Sequence, residues 1–157
     1  MINSQVISIK LLSITIPEWY VRKPVEKIEQ QKLKHSIQHF GYGIIIVRNE
    51  NYELLDGRKR LAILKELKIE KIDCIWYPEL SDIDTLVLIR NLHHEWSQTD
   101  VIQFSELLNL CCTENNIKKL AHIMPENEGE IRNILKLLDF DWKQFEQKQK
   151  GFGFTEE

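Results

Sequence analysis

Cysteine is scarce. Of 157 residues only Cys74, Cys111 and Cys112 are cysteine, and the last two are adjacent, which suits neither a disulfide framework nor a Cys-x-x-Cys zinc pair. All three are read as reduced, small apolar residues, Cys74 within a strand and Cys111 on a helix face. Long apolar runs are missing as well: none approaches the roughly 20 residues that cross a bilayer. Met1 leads into strand-like alternation, not into a charged segment followed by an apolar one. A cytoplasmic protein with no membrane partner is expected. A basic excess is also lacking, since 21 Lys and Arg face 24 Asp and Glu for a formal charge of −3, which excludes a histone-like, non-specific nucleic-acid binder. There is no internal repeat and no low-complexity stretch. What remains is 43% hydrophobic content, enough to build a core for one domain with a small appendage.

The charge is unevenly spread. Residues 1–82 hold 13 Lys/Arg and 11 Asp/Glu, a balance of +2, whereas residues 83–157 hold 8 and 13, a balance of −5. The two halves also differ in pattern. In the first, Gln5-Val6-Ile7-Ser8-Ile9 reads as a strand and residues 14–22 as an extended loop with Pro17, Trp19 and Tyr20. Leu33, Ile37 and Phe40 form a helical stripe over residues 27–40 that Gly41 ends. Residues 43–47 and 52–55 flank the polar turn Asn49-Glu50-Asn51 as a β-hairpin. A helix over 58–67 buries Leu61, Leu64 and Leu67, and a strand over 72–77 stops at Pro78.

The second half is helical throughout. Ser81 and Ser97 each begin a Ser-x-x-Asp capping pattern and predict helices at about 82–93 and 98–112. Ile117, Leu120 and Ala121, then Ile131, Ile134, Leu135 and Leu138, mark two short helices around Pro125-Glu126-Asn127-Glu128-Gly129, a pattern like a helix-turn-helix. A last helix near 142–149 precedes a tail holding Phe152 and Phe154. The predicted class is α+β: a small α/β layer over residues 1–80, an all-helical half over 81–150, and a flexible tail over 151–157.

Chemistry concentrates at Leu54-Leu55-Asp56-Gly57-Arg58-Lys59-Arg60-Leu61, a strand, a glycine and a helix whose first turn carries three cations. A helix N-terminus already bears partial positive charge, so each cation there opposes the helix by a few tenths to about 1 kcal/mol. A bound anion reverses that sign. Free backbone N–H groups, a glycine that permits close approach and basic side chains together make a phosphate site. Arginine usage agrees: against 15 Lys there are only 6 Arg, and Arg22, Arg58, Arg60 and Arg90 lie at or beside the suspected motifs, where their forks bind phosphate bidentately.

The order of these elements resembles the N-terminal domain of ParB-like partition proteins, over most of residues 5–140. The matching runs are 33–41, Ile45-Ile46-Val47-Arg48, 52–62, Ile72-Asp73-Cys74-Ile75 and Arg90-Asn91-Leu92-His93-His94-Glu95, with the helical pair at 116–138 ending in Leu137-Leu138. The resemblance implies a ParB/sulfiredoxin-type fold, followed by a helix-turn-helix, whose ParB branch binds cytidine triphosphate and magnesium and clamps onto DNA. By position, Gly57, Arg58, Lys59 and Arg60 match the family's Gly-Glu-Arg-Arg phosphate motif. Arg22 matches an arginine of the first nucleotide loop, and Arg90-Asn91 matches a metal-holding Glu-Asn pair. Both acidic positions are arginine here, so two hard oxygen ligands for Mg²⁺ are missing and metal-dependent hydrolysis loses its support. Gly43-Ile44 replaces the family's Gln-Pro. Binding of CTP or ATP by cations alone is the expectation, with weak CTP or ATP hydrolysis as the enzymatic activity this branch of the fold allows.

Two relatives of the fold offer alternatives. Sulfiredoxin chemistry needs a cysteine followed by His-Arg where Arg58 and Lys59 stand, so its nucleophile is absent. Free serine kinases of the fold carry Asp-Gly-x-His-Arg, which Asp56, Gly57 and Arg60 match in part, with Glu18 as the acid. Glu18 and Asp56 are therefore the catalytic candidates of a kinase or nuclease reading. DNA contact would fall to Lys118, Lys119, Arg132, Asn133 and Lys136, opposed by Glu126, Glu128 and Glu130. A protein-interaction adaptor is the third reading, and a homodimer and a protein partner join nucleotide and DNA among the expected partners. His35 and His39 have the i, i+4 spacing that grips zinc, and His93-His94-Glu95 would add ligands. Solvated helix histidines are far commoner, and no metal is expected.

Overall fold

The computed structural model describes residues 1–20, 26–92 and 98–136; for residues 98–103 it describes the helical backbone only. In chain order the elements are β1 (Gln5–Lys10), a 3-10 turn (Leu11–Ser13), α1 (Lys27–Phe40), β2 (Ile46–Arg48), β3 (Glu53–Asp56), α2 (Arg58–Glu66), β4 (Lys71–Tyr77), α3 (Asp82–Leu92), α4 (Gln98–Cys111), α5 (Ile117–Ile123) and α6 (Glu128–Lys136). Residue 22, residues 93–97, Leu137-Leu138, the helix expected near 142–149 and the tail lie outside the described residues.

The strands form one sheet in the order β1-β4-β2-β3. β1 pairs antiparallel with β4, placing Ile7 opposite Cys74 and Ile9 opposite Ile72. β2 and β3 make the expected antiparallel hairpin, and β2 lies parallel to β4 because the chain crosses back through β3 and α2. The hairpin strand starts at Ile46, not at Gly43: the ladder carries a register irregularity between Ile46 and Val47 and ends at Ile46 opposite Asp56, and residues 41–45 run without regular structure.

Because side chains alternate across a strand, the sheet has two apolar faces. Ile9, Val47, Leu54, Ile72 and Cys74 point to one face, where Ile37, Leu61, Ile63 and Leu64 of α1 and α2 cover them. Ile46 and Leu55 point to the other and pack with Leu86, Ile89, Phe104, Leu107, Ile117, Leu120 and Ile131 of the helical half. Leu54 and Leu55, adjacent in sequence and both fully buried, thus belong to different cores. Full burial of each such side chain contributes about 1.5–3 kcal/mol.

Two ion pairs show the direction of the outer layer. Glu29 meets Lys59 at 2.5 Å and Lys34 meets Glu66 at 2.6 Å, so α1 and α2 run side by side in the same sense. α2 has 9 residues and α1 has 14, which carries the last turn of α1 past the end of α2. Phe40, expected on the buried stripe with Leu33 and Ile37, falls in that overhang and is 87% exposed.

The helical half is anchored by Arg48, which is 5% exposed on the same face of β2 as Ile46. Its guanidinium donates to Glu53 from Nε (3.0 Å) and Nη2 (2.8 Å), and from Nη1 to the Thr85 hydroxyl (2.6 Å) and the Leu80 carbonyl (3.3 Å). Asp82 lies 2.9 Å from Nη1. The hairpin is thereby tied to the start of α3, which Ser81 caps through the Asp84 N–H as its Ser-x-x-Asp pattern predicts. Arg48→Met is expected to lower the unfolding free energy by about 1.5–3 kcal/mol in urea denaturation, the worth of charged hydrogen bonds, because Glu53 and Asp82 keep access to water when the guanidinium is gone; a change under about 0.5 kcal/mol would remove the anchoring role.

Candidate phosphate-binding site

The turn between β3 and α2 is built by one glycine. Gly57 has φ +105°, and a Cβ there would lie 2.9 Å from Ile45 Cγ1 and 3.5 Å from the Ile44 carbonyl oxygen. Only a residue without a side chain allows loop 41–45 to lie against the start of α2. As N-cap, Gly57 also offers no side-chain oxygen to the first-turn amides, and no acid stands in that turn. The structure thus places the amides of a helix start beneath a closely packed glycine.

The three cations behave differently from one another. Lys59 reaches across to Glu29 of α1. Arg60 donates from Nη2 to Asp56 at 3.2 Å, and its Nη1 lies 3.4 Å from where a Cβ on Gly43 would be. Arg58 stacks over the Tyr20 ring with its guanidinium carbon 5.6 Å from the centroid. Neighbouring carboxylates and an aromatic face thus offset the cost of cations at this helix end. Asp56, a catalytic candidate, is engaged by Arg60; Glu18 is exposed in the turn 17–20.

That turn reaches the site because Thr15 bridges to Glu53 along the outer edge of β3. Its N–H donates to the Tyr52 carbonyl, and its own carbonyl accepts the Leu54 N–H. Trp19 is buried in the core of the helical half, and Tyr20 stacks on it at 5.7 Å while touching both cores. Burial pushes the Tyr20 phenol up to about 12, aided by the charge of Asp56; the Arg58 backbone N–H and the guanidinium groups of Arg58 and Arg60 oppose that rise. Tyr20 and Gly43 are contributors that residue spacing did not single out, since a 14-residue helix separates the one from the other in sequence.

Arg90 has a carboxylate partner in the helical half. Its Nε donates to Glu126, with both side chains largely buried, which fastens α3 to the connection between α5 and α6. Asn91 is exposed on α3, and Arg22 lies outside the described residues. In the helical pair, Lys118, Lys119, Asn133 and Lys136 are exposed, whereas Arg132 pairs with Glu114 at 2.7 Å, a bond that raises the arginine and lowers the carboxyl. The three carboxylates expected to repel DNA have local work. Glu126 holds Arg90, and Glu130 exchanges hydrogen bonds with Asn127 in a capping box. Glu128 sits in the first turn of α6, where the helix dipole favours it. Burial comes first among the causes that push Cys74 and Cys111 up to about 11, in line with unreactive thiols. Among the described residues no group of three or more His, Cys, Asp or Glu could hold a metal, and no helix is long and apolar enough to cross a membrane.

The Tyr20 shift has a pH consequence. The folded state keeps the phenolic proton between about pH 10 and 12 while the unfolded chain gives it up, so this contribution to stability is complete below pH 10 and is lost as pH rises through 12. Tyr20 is expected to titrate late in a phenolate absorbance titration, and Tyr20→Phe removes that late step. The absence of a late step, or one that persists in Tyr20→Phe, would contradict the burial of Tyr20.

No family model matches the chain. An uncharacterized protein of Acidianus two-tailed virus, ORF326b, is 28% identical over 116 residues, covering 69% of this chain. The chain spans 35% of that relative's length. Among solved structures, a pNOB8-like ParB N-domain superposes with a TM-score of 0.57 at 19% identity, over 87% of this chain and 62% of that one. C-terminally truncated chromosome-partitioning protein ParB from Caulobacter crescentus, complexed with CTP-γ-S, gives 0.50 at 13% identity, over 96% and 88%. The sheet with α1 and α2 on one face and a helical half on the other is the fold of a ParB N-terminal domain.

Proposed function

We propose that the chain binds a nucleoside triphosphate, CTP or ATP, at the start of α2 and works as a ParB-like, DNA-associated regulatory or partition-type protein. One observation carries this reading: Gly57, in a left-handed conformation and packed on Ile45, opens a helix whose first turn holds Arg58 and Arg60 and no acid. Such a turn suits a triphosphate because backbone N–H groups meet one phosphate while guanidinium forks reach the next. The solved Caulobacter ParB holds CTP-γ-S in a domain of the same fold, which supports a nucleotide here. Arg22, Lys59 and Asn91 are the further residues proposed to line the pocket. Arginine at positions 58 and 90 withholds two hard oxygen ligands, so the proposed binding does not depend on Mg²⁺.

Isothermal titration with CTP, ATP and ADP, each with and without Mg²⁺, tests the reading. At least one triphosphate is expected to bind without the metal, and Arg60→Ala to weaken it by about tenfold or more, the worth of a charged hydrogen bond. No binding of any nucleotide, or binding unchanged in both Arg58→Ala and Arg60→Ala, overturns the pocket.

A specific observation also favours DNA contact through α5 and α6: Glu126 and Glu130 are occupied by Arg90 and Asn127, while Lys118, Lys119, Asn133 and Lys136 are exposed. Gel shifts with duplex DNA are expected to weaken steeply as salt rises, and Lys118→Glu with Lys119→Glu to abolish them. Absence of any shift at low salt would leave the helical half as a protein-docking module.

A further inference from the structure

β4 extends past its neighbour. It runs from Lys71, whereas β2 begins at Ile46 opposite Ile75, so residues 71–74 lie beyond the end of β2. Ile75 donates its N–H to the Ile45 carbonyl, and the Tyr77 carbonyl accepts the Asn49 N–H. Groups facing one side of a strand recur at every second residue, so the N–H and carbonyl of Asp73 come next in that row and need partners of their own. Tyr42 supplies both. Asp73 donates its N–H to the Tyr42 hydroxyl at 2.7 Å, and the hydroxyl donates in turn to the Asp73 carbonyl at 3.2 Å. One phenol thus stands where a further residue of β2 would.

Tyr42 belongs to the loop that borders the candidate site. Its ring packs on the core beneath α1 and α2. Gly41 and Gly43 flank it at φ +88° and +70°, and without side chains they give the loop no hold at those positions. Further along, the same loop meets the start of α2: Ile45 lies against Gly57 with the Ile44 carbonyl oxygen beside it, and Gly43 lies against Arg60. Asp56 accepts from Nη2 of Arg60, while Nη1 lies 3.4 Å from where a Cβ on Gly43 would be. The guanidinium is therefore held between a carboxylate and the loop. A shift of the loop would close its path or remove its support.

Resting on the nucleotide reading, we propose that Tyr42 is a positioning residue of the phosphate site: by holding both backbone groups of Asp73, its hydroxyl fixes loop 41–45 against α2 and sets the direction in which Arg60 meets a phosphate. Tyr42 acts through Gly43 and Arg60 without touching the phosphate. The direction matters because a guanidinium binds phosphate oxygens bidentately only when its fork is aligned with them. The hydroxyl carries the effect, since the ring packs on the core with or without it.

Tyr42→Phe keeps the ring and removes the hydroxyl, so it tests the proposal in two steps on the full chain. Amide hydrogen exchange without nucleotide is expected to be at least about fivefold faster at the Asp73 N–H in the variant, with the Ile75 N–H unchanged as the sign of an intact sheet. Isothermal titration with CTP and ATP is expected to show about three- to tenfold weaker binding in Tyr42→Phe, the worth of one hydrogen bond. In an Arg60→Ala background the same change is expected to have no further effect, because residues that act through one another do not add. A merely structural loss would weaken binding equally in both backgrounds. Unchanged exchange at Asp73 overturns the anchor; faster exchange with unchanged affinity, or an equal loss in both backgrounds, overturns the positioning role. If neither triphosphate binds the unaltered chain, the nucleotide reading falls and the positioning role falls with it, whatever the exchange at Asp73.

Discussion

The buried guanidinium of Arg48 is the interaction on which the arrangement of the molecule depends. It sits where the hairpin meets the start of α3 and satisfies groups from both: Glu53 on the neighbouring strand, and Leu80, Asp82 and Thr85 at the entry to the helical half. Lysine could not make this set of contacts, because it lacks a planar fork with donors in fixed directions. A charge taken out of water is costly unless fully paired, so the geometry that pairs it is strongly preferred over alternatives. The second core, with Ile46, Leu55 and the helices, closes around that preferred geometry.

Charge elsewhere is handled by the same local pairing. Arg90 with Glu126 fixes α3 to the connection before α6, and Arg132 with Glu114 ties α6 to the loop after α4. Three of the six arginines thus hold the helical half together or hold it to the sheet. At the start of α2, Glu29, Asp56 and the Tyr20 ring moderate a cationic turn that would otherwise oppose its own helix. Tyr20 belongs to that turn while stacking on Trp19, whose ring is in the core of the helical half. The candidate site and the junction between sheet and helices are therefore in direct contact through two adjacent residues.

Much of this was legible in the residue order. Alternating apolar residues in β1 and β4, the stripe of α2, the Ser81 cap and the glycine at position 57 each act over a few residues, where chain geometry alone dictates the result. Phe40 was misjudged because a helical stripe reports which face turns inward but not where the neighbouring helix stops. Residue order also did not show that Glu126 holds Arg90, 36 residues away, or that Glu130 and Asn127 cap α6, because such pairing is set by where the helices pack and cap. Arg48 stood out only as the end of the matching run from Ile45, since a single arginine ending an apolar strand has no periodicity to mark it as a buried anchor.

By itself, then, the sequence determined the helices and strands, their order, the absence of a disulfide framework and the glycine turn with its three cations, all properties set by local backbone preference and composition. The tertiary structure alone decided which charges face each other. Ion pairs such as Arg48 with Asp82 and Arg90 with Glu126 join residues more than 30 positions apart, and their worth depends on burial, which exists only after the two cores have closed on the sheet.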